Sequence, residues 1–235
     1  MKLPVQEAPT YEIELPLTKE NVIFRPFLVK EQRNLILARD EEDTKNIFSA
    51  VANLVESVSN LKVNPLDLPM VDLEYLFLQI RAKSVGETSE LAIKCPKCEE
   101  GILKAKVDLE KIGISEEQQP DRIIKISDNL QIEFSYPTAK MLEAIDGQSQ
   151  AEQIKPMIMG CMVRIYDEEE IYELSDHPDS EISKFVDSLT MDQFETVTGF
   201  FANLPVLEEK VHYICDNAEC RHEFDQTLRG LQNFF

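Results

Sequence analysis

The apolar positions of this chain change their period several times, and each change marks an element. Tyr11-Glu12-Ile13-Glu14-Leu15 alternates and Val22-Ile23-Phe24-Arg25 is β-prone, so residues 1–27 are expected to form a hairpin closed over Pro16 to Asn21. An arm lying on a partner is the other reading. From Pro26 the period becomes helical. A short helix over about 29–38 precedes a second beginning at Asp40, whose carboxylate caps it while Glu41, Glu42 and Asp43 complement its dipole. Ile47, Val51, Leu54, Val55 and Val58 then fall three and four apart on one buried face. After Pro65 and Pro69 a third helix runs to about Lys83, with Leu73, Leu76, Phe77 and Ile80 on one stripe and Tyr75 and Leu78 on the other side. A helix apolar nearly all round belongs inside a core or against a partner subunit, and a core is the ordinary place.

Beyond residue 88 the pattern turns β-like. Leu91-Ala92-Ile93 and the alternating run Ile102 to Leu109 flank a polar bend, and Gly113 to Pro120 reads as a loop. Arg122 to Ile126 and Leu130 to Phe134 are joined by the turn cluster Ser127-Asp128-Asn129, and are expected in one antiparallel sheet with the preceding hairpin. From Thr138 to Asn203 helices return. Thr138 caps a helix carrying Met141, Leu142 and Ile145 that Gly147 ends, and an apolar segment follows over Ile154 to Val163. Ile165 to Tyr172 reads as a hairpin with an acidic tip. A helix over 179–189 places Ile182, Phe185, Val186 and Leu189 on one side. Thr190 and Gln193 form a capping box for the next, whose stripe is Phe194, Val197, Phe201 and Leu204. Leu207 to Ile214 is a strand, Glu223 to Thr227 returns from it, and the terminal Phe234-Phe235 is expected to be tucked in or bound to a neighbour.

Cysteine spacing adds chemistry to this outline. Cys95-Pro-Lys-Cys98 and Cys215-Asp-Asn-Ala-Glu-Cys220 each hold two thiols at the short separation a tetrahedral ion needs, and each follows an apolar or β-prone run. Gly101, three residues past Cys98, allows a tight turn that aims backbone N–H groups at sulfur. The expectation is a zinc-ribbon-like site in which Cys95, Cys98, Cys215 and Cys220 hold one structural Zn2+, a four-thiolate tetrahedron that also suits iron. Four thiolates leave no open position for water or substrate, so such a metal stabilises and does not react. His222 is a candidate to replace one thiolate, and Cys161, in the run Met157 to Val163, is assigned to a core. The rival reading makes Cys95 and Cys98 a redox couple; against it stand Gly101, which disfavours a helix start, and Glu99-Glu100, whose charges are expected to raise thiol pKa values.

Charge and absences narrow the field. Twenty-four basic against 44 acidic residues give a formal charge of −20, which repels phosphate backbones and anionic lipid, so nucleic acid and membrane surfaces are not expected partners. No apolar h-region marks a signal peptide and no run approaches the roughly 20 apolar residues of a membrane span, which together with five cysteines points to a reducing cytosol as the place of synthesis. No Gly-rich phosphate loop, nucleophile elbow or His-Glu-x-x-His helix occurs among the seven glycines and three histidines, so no enzyme is expected.

The segment Leu73-Glu74-Tyr75-Leu76-Phe77-Leu78-Gln79-Ile80-Arg81-Ala82-Lys83-Ser84-Val85-Gly86-Glu87, followed by Cys95-Pro-Lys-Cys98 and a late second couple, resembles the baseplate hub protein family of T-even-like contractile-tailed bacteriophages. The resemblance implies a late, non-enzymatic virion protein of the tail baseplate, assembled in the host cytoplasm, with other hub and tail proteins as partners and homo-oligomerisation compatible with a symmetric tail. It implies either a hub component or a transient hub-assembly factor absent from the mature particle. The expected fold class is α+β, helical segments around a small antiparallel sheet. The expected divisions are a hairpin or arm (1–27), a helical part (28–87), a first knuckle with antiparallel strands (88–135), a helical insertion (136–206) and a second knuckle with the tail (207–235).

Overall fold

The computed structural model describes residues 8–40, 44–114, 120–145 and 149–230, leaving aside the side chains of 38–40, 44–48 and 150. The architecture is α+β with antiparallel sheets. Chain contacts divide it into two compact units, one of Met1–Pro65, Val71–Ser115 and Val206–Phe235, the other of Leu66–Met70 and Glu116–Pro205.

The first unit begins with the expected hairpin. β1 (Tyr11–Glu14) pairs with β2 (Asn21–Phe24), and Tyr11 stacks on its cross-strand partner Phe24 with ring centroids 5.8 Å apart. Alternation puts Val22 and Phe24 inside. The hairpin's turn is tied down by Asp72, fully buried, whose two carboxylate oxygens accept from the Leu17 and Thr18 N–H groups at 2.8 and 2.9 Å. A buried carboxylate survives there because it is hydrogen-bonded, and the hairpin is thereby held on its own unit.

α1 (Val29–Asp40) and α2 (Thr44–Val58) follow. Asp40 is the last residue of α1 and not the cap of α2, because no Gly or Pro interrupts 29–39; Glu41, Glu42 and Asp43 lie outside the described residues, as does the side chain of Ile47. Val51, Leu54, Val55 and Val58 are buried as their spacing requires. Inward on α1 points Glu31, which takes the Leu28 N–H at 2.6 Å and Arg25 Nη2 at 3.0 Å. Burial pushes its carboxyl upward, but the Leu28 N–H and the Arg25 guanidinium outweigh that and hold it below the usual value.

α3 (Met70–Val85) is a core helix. Val71, Leu78 and Ala82 join the core of the sheet, while Leu73, Leu76 and Ile80 are buried around the rest of its circumference. That sheet contains β3 (Thr88–Lys94), β4 (Ile102–Asp108), β10 (Leu207–Cys215) and β11 (Glu223–Arg229) in the order β11-β10-β4-β3, with the short β5 (Gly113–Ile114) also on β10. β10 pairs with β4 at its cysteine end, Ile214 opposite Lys104 and Cys215 opposite Leu103.

The second unit holds its own four-stranded sheet: β6 (Ile123–Ser127), β7 (Leu130–Phe134), β8 (Met162–Tyr166) and β9 (Ile171–Glu173), adjacent in that order. The strands at 123–134 therefore do not extend the sheet of the cysteine hairpins. Instead the free edge of β7 takes β8, Ile132 facing Ile165, so that Ile132 and Phe134 pack with Val197 and Phe200. Around it lie α4 (Ala139–Ile145), α5 (Gln150–Cys161), α6 (Asp179–Asp187) and α7 (Met191–Ala202). Thr138 Oγ1 accepts the Met141 N–H at 3.3 Å and caps α4, whereas Gly147 lies outside the described residues. The apolar run Ile154 to Val163 splits: α5 stops at Cys161, and Met162 enters β8 because Val163 and Ile165 alternate into a ladder. The capping box of α7 forms in both directions, Thr190 N–H to Gln193 Oε1 at 2.9 Å and Gln193 N–H to Thr190 Oγ1 at 3.3 Å. Phe134 sits at the centre, with the rings of Phe200 and Phe201 at 5.2 and 5.6 Å.

Candidate metal centre

Each cysteine couple lies at the bend of a hairpin. Residues 95–101 turn β3 into β4, and residues 215–222 turn β10 into β11. The turns are alike. In the first, Cys95 N–H donates to Gly101 O at 2.9 Å and Glu99, just after the second cysteine, has φ +58°. In the second, Cys215 N–H donates to His222 O at 2.9 Å and Arg221, again just after the second cysteine, has φ +41°. A left-handed residue there reverses the chain and swings the following N–H back toward sulfur.

The four sulfurs of Cys95, Cys98, Cys215 and Cys220 all lie within 4.8 Å of one another. Cys98 Sγ is 3.8 Å from Cys215 Sγ, and Cys95 Sγ is 4.0 Å from Cys220 Sγ. An ion bound to four sulfurs at about 2.3 Å sets them about 3.8 Å apart along each tetrahedral edge. Disulfide sulfurs sit at about 2.05 Å, and all four cysteines are free thiols. The cluster can hold a metal ion, and its donor set is one that zinc and iron both accept.

Close approach of the two bends explains Gly101. A Cβ there would fall 2.5 Å from Cys215 Sγ and 3.0 Å from Asn217 Cβ, so only hydrogen fits. Its N–H donates to Cys98 Sγ at 3.3 Å. That bond is the first cause of a Cys98 thiol lowered to about 7, with the Glu100 N–H and neighbouring thiols helping against burial. The sequence led us to expect the carboxylates of Glu99 and Glu100 to raise this thiol. Backbone N–H groups, which point at sulfur while the side chains point to water, decide otherwise. Cys215 is pushed up to about 12, by burial first and then by neighbouring thiols, and burial also raises Cys220. A divalent cation bound there would supply the charge that favours the thiolate form of all four.

Asp216 was not foreseen. Its Oδ1 accepts the Ile102 N–H at 2.8 Å while its own N–H donates to Ile102 O at 3.0 Å, which laces the second bend to the start of β4. One acid among 44 carries no signal in sequence. His222 is not in the sulfur cluster; its ring stacks on Phe224, which in turn stacks on Tyr213. His212 pairs with Asp225, Nδ1 to Oδ1 at 2.7 Å. Cys161 lies in the core of the second unit, 3.9 Å from Met141 Sδ, and burial pushes its thiol up to about 12.

The family model for the T4 bacteriophage base plate protein matches residues 8–235, which span both units and all four clustered cysteines. The chain belongs to that family. Membership makes it a phage base plate component of the virion tail, whose partners are other base plate or tail proteins. No curated protein and no solved structure matches the chain.

Proposed function

We propose that this chain is a non-enzymatic structural component of the central hub of the tail base plate, with one structural zinc on Cys95, Cys98, Cys215 and Cys220. The family match over residues 8–235 carries the reading. Sulfur separations near those of a tetrahedral edge support the metal, and four thiolates would leave it no position at which to act on a substrate. Zinc would join the middle of the chain to its C-terminal hairpin and contribute to folding directly.

Quantitative mass spectrometry of purified virions tests the hub assignment. Copy number in fixed ratio to the hub proteins, with cross-links to them, supports it. Absence from the finished particle shows a transient assembly factor instead, and cross-links only to peripheral tail proteins overturn the hub reading. Metal analysis of the purified chain tests the site: about one zinc per chain with four unreactive thiols is expected, and a metal-free chain whose Cys95 and Cys98 cycle with a disulfide overturns it in favour of a redox couple.

A further inference from the structure

α1 exposes the residues a surface helix normally hides. Because Glu31 is anchored inward by Arg25 and the Leu28 N–H, the helical period of about 100° per residue puts Val29, Arg33, Ile36 and Leu37 on the opposite side. Val29 is 83% exposed, Leu37 53% and Ile36 44%. Lys30 and Arg33 are exposed beside them, and among the described side chains of α1 the one acid is the buried Glu31. On a chain of net charge −20 this face is apolar and cationic.

The second unit carries the complementary surface. A groove of about 270 Å³ is floored by Leu130, Ile165, Leu174 and Phe185 and rimmed by Asp167, which accepts from the Tyr172 hydroxyl, and by Glu181, whose carboxylate lies 3.1 Å from His177 Nδ1. Beside it the exposed tip Asp167 to Glu170 supplies four acids in a row, and α6 carries Asp179, Glu181 and Asp187 against one lysine, Lys184. An apolar floor inside a charged rim is the usual anatomy of a protein contact.

We infer that the outer face of α1 in one copy of this chain seats in the β7/β8/β9/α6 groove of a second copy. Apolar anchors Val29, Ile36 and Leu37 fill the groove, and Lys30 and Arg33 meet its acids. The two surfaces are different patches, so after one contact the copy that gave its helix keeps its groove and the copy that gave its groove keeps its helix. This goes beyond the hub assignment and does not depend on it.

Sedimentation velocity on the full chain over a concentration series tests the contact. Wild type is expected to self-associate as concentration rises. V29E/I36E, which spoils the helix, and E170K/E181K, which reverses one acid of the tip and one of the rim, are each expected to stay monomeric to concentrations at least about tenfold higher. All four positions are exposed, so both variants are expected to fold, which circular dichroism checks. Mixing the two restores one intact helix and one intact groove, so the mixture should form a heterodimer that grows no further. A wild type monomeric at every concentration overturns the inference and leaves the groove to a different chain. So does either variant assembling like wild type, or a mixture that stays monomeric.

Discussion

The two units close their cores by different means. In the second, the closing groups are rings: Phe134, Phe200 and Phe201 interlock within 6 Å at the sheet's inner face, and stability there follows contact area. In the first, the end of the core is made of sulfur, with Cys95 and Cys215 buried and Cys98 and Cys220 beside them. Area is shared among many neighbours and yields by degrees. A ligand cluster depends on a few atoms, and losing one affects the rest.

The largest expected effect lies in the cluster. Structural zinc in finger peptides contributes about 10–16 kcal/mol of apparent binding at neutral pH. Cys98→Ser or chelation should therefore strip amide-exchange protection from β3, β4, β10 and β11 while β6 to β9 keep theirs. Equal loss in both units would break the comparison. Next comes Phe134→Ala, expected to cost about 3–5 kcal/mol in the second unit, read from its denaturant midpoint, with zinc content unchanged.

Gly101→Ala should be milder, about 1–3 kcal/mol, because the new methyl displaces Cys215 Sγ. Its signature is weaker zinc retention against a competing chelator with the second unit unaltered. The smallest effect is an acid dependence. Glu133 is held below its ordinary value of 4.5, first by the Tyr166 hydroxyl at 2.7 Å and then, against burial, by Arg164. A carboxyl lowered by folding adds stability above its unfolded value, and that increment is lost as pH falls from about 4.5 through the lower folded value. Glu133→Gln should flatten this part of the second unit's stability profile; an unchanged slope would move the acid sensitivity elsewhere.

Local signals were legible and long-range pairing was not. Alternation at 11–15 and 207–214, the Thr190/Gln193 box and the stripe at Val51, Leu54, Val55 and Val58 all appear where the pattern put them, because each is a relation among near neighbours. Ser149 and Glu152 form a second capping box that the reading of the sequence passed over. The choice of sheet for β6 and β7 could not be read, since which edge a strand meets is settled by side chains far away in the chain. The four thiols were legible by spacing alone, whereas the depressed Cys98 thiol depends on N–H directions that only a folded turn defines.

The 117 residues separating Cys98 from Cys215 also set an order of events during synthesis. A ribosome adding roughly 5–20 residues per second takes roughly 6–23 s to deliver the later thiol after the earlier one. Nearly the whole second unit, from Glu116 to Pro205, emerges in that interval. It is expected to be folded before the first bend meets its counterpart, so that capture of the proposed ion would come as a late locking step on a nascent chain.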